Sequence, residues 1–225
     1  EDARSPARHP DISSPAQLRD KVQWLRRVTS GVPVGAKIGC SRVEEDVRAL
    51  VEAGVDFIVL DGFGGGTGAV ERYARDHSGI PIVAALPRAR RCLQELGMRG
   101  RVSLVAAGGL RSGADCARCL ALGADAVYLG TAVLMAIGCE QYRVCHSGLC
   151  PTGIATHRPS LLRQLDVAEG VRRLTNFLAV CTDEMAGLAR IVGKNDVRLL
   201  DAGDLVALSP EAARVAGVQM MDGRE

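Results

Sequence analysis

Aromatic side chains are scarce: Phe, Trp and Tyr make up 3% of the 225 residues, which leaves few platforms for stacking bases. An excess of one charge is missing as well. The net charge is +2 and the pI about 8.2, so the chain has no basic face of the kind a dedicated nucleic-acid binder carries. No apolar run approaches the ~20 residues that a membrane helix needs, and no membrane partner is expected. Eight cysteines fall well short of a disulfide-stapled scaffold. The first residues, Glu1 to Pro6, are polar and do not form a signal peptide. A cytoplasmic location is therefore expected, where thiols stay reduced and are buried, catalytic or metal-binding. The chain starts at Glu1 rather than Met, as expected of a piece of a longer protein.

What is present is enough for a folded domain. Apolar residues make up 47% and charged residues 24%, sufficient to build a core and to cover it. Ser13-Ser14-Pro15 starts a helix with Leu18, Val22 and Leu25 on one face. A strand is expected from Pro33 to Ile38 and a helix from Arg42 to Glu52. The run Phe57 to Leu60 is apolar on both faces, as in a buried parallel sheet. The alternation continues with strands at Ile80–Leu86, Val102–Ala107 and Ala126–Gly130, and helices at Arg88–Leu96, Ala114–Leu122 and Thr131–Ile137. Five strand–helix units suit a doubly wound sheet or part of a (β/α)8 TIM barrel. Beyond Gly138 the pattern changes: Leu161 to about Ile191 reads as helix, and Asp201 to Gln219 as a short closing helical segment.

Three glycine-rich turns follow strands. Gly62 to Gly68 contains Gly65, Gly66 and Thr67 and offers unobstructed backbone N–H groups to an anion or a flat ring. Its match to a dinucleotide fingerprint is weak, because the next apolar run ends without an acid for the ribose. Gly108-Gly109 and Gly130-Thr131 follow two successive strands. Paired glycines at that end of a barrel suit a phosphate, as ordinary turns also do. Lys37 is a cation in an apolar strand, either pointing to the ligand end, solvated at an edge, or paired as a structural ion pair.

The most specific signal is Cys139, Cys145 and Cys150, spaced C-x5-C-x4-C with Pro151 after the last. Thiolates bind iron–sulfur clusters and soft metals. The spacing leaves three readings open: an iron–sulfur cluster, a Cys3His zinc site using His146 or His157, or unrelated core cysteines. Cys40, Cys92, Cys116, Cys119 and Cys181 read as small hydrophobes in packing positions, with Cys40 close enough to Lys37 in sequence to approach the site. His9 and His77 read as surface residues without a partner.

CEQYRVCHSGLCPTGIAT, Cys139 to Thr156, resembles the cluster-binding segment of glutamate synthases, and Gly65 to Ala69 resembles their GGTGA loop. Gly108 to Asp115 and Leu122 to Ala126 resemble the flavin-phosphate end of their barrel. The likeness, to the archaeal-type FMN-binding glutamate synthase family, runs from about Ser5 to the end. It implies an α/β fold: residues 1–138 as the last five units of an FMN-binding TIM barrel, 139–157 as a cluster loop, and 158–225 as a helical extension. It also implies FMN and a 3Fe-4S cluster. Cys139, Cys145 and Cys150 would hold the cluster, and Gly108, Gly109, Gly130 and Thr131 the FMN phosphate. Gly65, Gly66 and Thr67 would line the flavin, with Lys37 near flavin and substrate. The implied reaction is reductive amination of 2-oxoglutarate to glutamate. Ammonia would come from a separate glutaminase domain or subunit, and electrons from ferredoxin or an NAD(P)H-dependent reductase. Ala107 departs from relatives that carry an acid or Ser before the glycine pair. Two alternatives remain. One is another FMN barrel oxidoreductase, N-methylglutamate synthase-like or hydroxy-acid oxidase-like; the other is a non-catalytic fragment without the first barrel half.

Overall fold

Ser14 starts the first helix as its spacing predicts: its hydroxyl accepts the Gln17 N–H at 3.2 Å, and Pro15 occupies the first turn. The structure, a computed structural model, describes residues 6 and 8–223. The polar start at residues 1–5 lies outside the described residues. Helix α1 (Pro15–Val28) leads to β1 (Gly35–Gly39), α2 (Val43–Ala53) and β2 (Phe57–Asp61). A short helix, α3 (Arg72–His77), precedes α4 (Ile82–Glu95), β3 (Ser103–Ala107), α5 (Gly113–Ala121), β4 (Ala126–Val127) and α6 (Thr131–Ala136). The four strands form one parallel sheet in sequence order, β1-β2-β3-β4. Consecutive parallel strands must cross over through intervening chain, here through helices laid on one face.

That face holds the main core. Ile58, Leu60, Leu104 and Ala106 from the strands pack with Val43, Val47 and Leu50 of α2 and Leu86, Ala89 and Leu93 of α4. The side chains alternate along each strand, so Lys37, Val59, Asp61, Val105 and Ala107 share the opposite face. Val59, Val105 and Ala107 make a small second cluster there with Phe57. The Phe57 ring fills the space that Gly35, its partner in the register, leaves by having no side chain. One end of this inner face is thus closed by an aromatic ring, and the other end, where the strands finish, carries charge.

The expected strand at Ile80–Leu86 is absent, and the sheet has four strands where the sequence suggested five. Ile80 is held by backbone bonds to Cys40 and Phe63, at 2.7 and 2.9 Å, and Pro81 then leads directly into α4. Within α4 the buried positions are Ile82, Ala85, Leu86, Pro87, Ala89, Cys92 and Leu93, at helical spacing apart from Pro87. This helix packs on α2 and on strands β2 and β3, and its first turns are apolar all round. A short apolar run of that kind reads equally as a buried strand or a buried helix. β4 is also shorter than the expected Ala126–Gly130, although Tyr128 continues the pairing with an N–H bond to Ala106 O at 2.8 Å.

The C-terminal region is largely helical, as expected. After α7 (Pro159–Leu162), the 25-residue α8 (Val167–Ile191) packs on α5 and α6. Gly113 lets the backbones of α5 and α8 meet at Cys181, where a Cβ would collide with the carbonyl oxygen. The closing segment contains α9 (Pro210–Ala216), but also a parallel pair of two-residue strands, β5 (Val206–Ala207) and β6 (Gln219–Met220), that the sequence reading lacked. No helix among the described residues is long and apolar enough to cross a membrane.

Candidate functional site

The Gly62–Gly68 turn leaves the end of β2 and runs over the ends of its neighbours. Gly62 N–H bonds to Ala107 O at 2.9 Å, tying the turn to the end of β3. Gly108 follows with φ +92°, and a Cβ there would stand 2.5 Å from the Gly62 oxygen. The two glycine segments therefore touch backbone to backbone, which a larger residue at 108 would prevent. Gly109 and Gly130 face open space at the ends of adjacent strands: the nearest atom to a Cβ on Gly109 is Phe63 O at 3.7 Å, and none lies within 4 Å at Gly130. Bare backbone at two neighbouring strand ends is a suitable cradle for a phosphate. Gly65, Gly66 and Thr67 lie in the same turn, with the Thr67 hydroxyl accepting Ala69 N–H at 3.2 Å. Thr131 is the exposed first residue of α6 and makes no cap bond.

Lys37 projects from β1 onto the inner face, where Nζ lies 2.9 Å from Asp61 Oδ2. The ion-pair alternative for this lysine is the one the structure shows. Asp61 also occupies the space beside the Cα of Gly65, so the carboxylate packs under the glycine turn. Sequence reasoning missed Asp61. The available signal was an acid closing the apolar run Phe57-Ile58-Val59-Leu60.

The cysteine segment leaves α6 with Cys139 N–H bonded to Leu134 O. Cys139 Sγ accepts the Gln141 N–H at 3.4 Å. Gln141 and Arg143 both take positive φ, 57° and 61°, an uncommon conformation for residues with side chains. Cys145 begins a single 3-10 turn, and the Thr156 hydroxyl donates to Gly148 O at 2.6 Å, fastening the far end of the segment. Burial raises the Cys150 thiol, but the Thr152 hydroxyl and the backbone N–H groups of Ala155, Thr152 and Ile154 outweigh it, and the net shift is downward. Two of the three sulfurs thus receive N–H groups, and at Cys150 these favour the thiolate.

The packing cysteines are different. Burial pushes Cys40 and Cys119 up to about 12 and Cys116 to about 11, and raises Cys92 and Cys181. Cys40 N–H bonds to Asp61 O at 3.3 Å, and the Asp61 charge helps to raise its thiol. His146 and His157 are exposed, as is His77, while His9 has a partner after all, Asp11 at 3.6 Å. Among the described residues, no group of three His, Cys, Asp or Glu side chains is gathered closely enough to hold a single ion.

One contact joins the cysteine segment to the glycine turn. A Cβ on Gly68 would lie 2.5 Å from Cys145 Cβ and 3.0 Å from its Sγ. The Gly62–Gly68 turn therefore touches Gly108 on one side, Asp61 with its lysine beneath, and Cys145 on the other. Sequence spacing gave no sign of the Cys145 contact.

Comparison with known proteins shows the family and the fold. A family model described as the conserved region in glutamate synthase matches residues 1–195. A glutamate synthase large subunit-like protein of Rhizobium meliloti is 42% identical over 97% of this chain and 53% of its own length. An archaeal glutamate synthase (NADPH) of Methanocaldococcus jannaschii is 41% identical over 88% of this chain and 39% of its own. The chain thus spans about half, or less, of the curated relatives it matches. Among solved structures, a flavocytochrome b2 mutant superposes with TM-score 0.51 at 21% identity, covering 80% of this chain and 36% of that one. A mandelate oxidase mutant does so with TM-score 0.52 at 23% identity, covering 84% and 44%. These likenesses place the α/β fold with TIM-barrel proteins. The chain belongs to the glutamate synthase family.

Proposed function

We propose that this chain is the later part of the FMN-binding barrel of a glutamate synthase, with the cluster segment 139–157 and the helical extension 158–225 attached to it. The observation that carries the reading is the Gly62–Gly68 turn, which meets the glycine pair, the Lys37–Asp61 pair and Cys145 at once. The residues fit the groups that such an enzyme needs. Open backbone at Gly109 and Gly130 suits the FMN phosphate, and N–H groups aimed at Cys139 and Cys150 suit a thiolate-bound cluster. A 3Fe-4S cluster spreads its thiolates over several irons, so its ligands need not converge as tightly as a single-ion set.

In this reading Gly108, Gly109, Gly130 and Thr131 hold the FMN phosphate, and Gly65, Gly66 and Thr67 lie along the flavin. When bound, FMN supplies hydride to the 2-imino acid formed from 2-oxoglutarate and ammonia, and the cluster relays electrons from ferredoxin or an NAD(P)H-dependent reductase. Lys37 presents its ammonium to a substrate carboxylate or to negative charge on the reduced flavin. Cys139, Cys145 and Cys150 hold the cluster against the glycine turn. A glutaminase domain or subunit delivers the ammonia.

The test is anaerobic purification with assay of iron, acid-labile sulfide and flavin. The expected result is flavin together with iron and sulfide in cluster proportion. Flavin without labile sulfide would point instead to a different FMN barrel oxidoreductase, and neither flavin nor sulfide to a non-catalytic fragment.

A further inference from the structure

We infer that Asp61 is the positioning residue for Lys37 and sets how strongly the site attracts negative charge; the inference rests on the flavin-site reading above. The two side chains differ sharply in exposure, 12% for Asp61 against 49% for Lys37. The carboxylate is the fixed member of the pair and the ammonium the reachable one. Asp61 is fixed from three directions. It is the last residue of β2, its carbonyl accepts Cys40 N–H, and its carboxyl fills the notch beside Gly65. Lys37, by contrast, is a flexible four-carbon stem on the first strand of the sheet.

The pair therefore works as a partly neutralised cation. With Asp61 in place, the ammonium is drawn toward β2 and the glycine turn, and a carboxylate or an anionic flavin must compete with Asp61 for it. Replacing the carboxylate by an amide leaves a hydrogen-bond acceptor but releases the ammonium from its ion pair, so that its charge acts in full on an anion at the strand ends. The site then favours anions and the reduced flavin more strongly. Because the effect runs through the lysine, it should largely vanish where the lysine is gone.

The experiment measures the two-electron midpoint potential of bound FMN in the purified protein, with Asp61→Asn, Lys37→Met and the double variant. Asp61→Asn is expected to favour the reduced flavin at least about tenfold, ~30 mV for a two-electron couple. Lys37→Met should move it by a similar factor in the opposite direction, and Asp61→Asn on top of Lys37→Met should add less than about threefold. Asp61→Glu, which keeps the charge, should stay within about twofold of the unaltered protein. If Asp61→Asn does not fold, the Lys37→Met and Asp61→Glu values carry the test. An unchanged potential in Lys37→Met, or the same Asp61→Asn shift with and without the lysine, overturns the inference while leaving the flavin site intact. Failure of the unaltered protein to bind FMN overturns the flavin reading itself.

Discussion

Cys40, Cys92, Cys116, Cys119 and Cys181 lie with the core, on helices or just past a strand, whereas Cys139, Cys145 and Cys150 lie in an irregular segment with two positive-φ residues. In the first group burial is the largest influence and raises every thiol, even where Cys92 donates to Glu44 O and Gly113 N–H points at Cys181. Cys150 is also buried, yet its thiol moves downward because N–H and O–H groups point at the sulfur. Burial alone does not decide whether a cysteine is inert; the polarity of what buries it does. The difference is one of degree: at Cys150 three backbone N–H groups and a hydroxyl outweigh burial, whereas the single Gly113 N–H at Cys181 does not.

The comparison is broken most directly by exchanging one thiol in each group. On the proposed reading, Cys145→Ser removes nearly all iron and labile sulfide but leaves part of the flavin. Cys116→Ala leaves the iron content unchanged and costs about 1 kcal/mol of stability, a typical value for trimming a small buried side chain. Substantial iron loss in Cys116→Ala would erase the division between the groups. Gly68→Ala tests the contact rather than the ligand. The added methyl meets Cys145 Cβ, an atom fixed to the backbone, so the two segments must move apart. A cost of about 1–3 kcal/mol is expected, read as iron content lowered several-fold with the flavin less affected. Gly64→Ala is the control: its φ of +79° strains the substitution, but no atom lies near the new methyl, so the iron should stay.

How much of this was legible in the sequence depended on distance along the chain. The capping Ser14 is a local pattern, and the structure places it where the pattern suggests; the glycine pairs and the C-x5-C-x4-C spacing are local patterns too, found past strand ends and in the irregular segment after α6. The apolar strands β2 and β3 were equally legible, being buried on both faces. The helix α4 was misread at its start because apolar surroundings on every side remove the polar face that would have revealed its period. Asp61 and the Gly68–Cys145 contact were illegible for a different reason. Each depends on strand register or on two segments far apart in sequence folding against each other, and a single sequence carries no record of that. Ala107, noted as a departure, turns out to belong to the small inner cluster with Val59 and Val105, so its size is set by packing there.

The smallest expected effect lies in the alkaline range and separates the two groups by sign. Cys40 and Cys119 keep their protons in the folded core up to about 12, against an ordinary value of 9.0. Unfolding exposes thiols that ionise near 9, so the unfolded state releases protons first as the pH rises. The stability due to these neutral thiols is complete below that value and is lost as the pH climbs toward the folded value, by at most about 1.4 kcal/mol per pH unit for each thiol. Cys150 is shifted the other way, so its ionised form favours the folded state at high pH. Urea unfolding from about pH 7 to 11 should therefore show a decline that is shallower in Cys40→Ala and slightly steeper in Cys150→Ala. Cys40→Ala also leaves a cavity, but that lowers the whole curve without altering its slope, so the slope isolates the thiol. Equal slopes in the two variants would mean that the sulfurs share one environment, and the contrast between core and loop cysteines would fall.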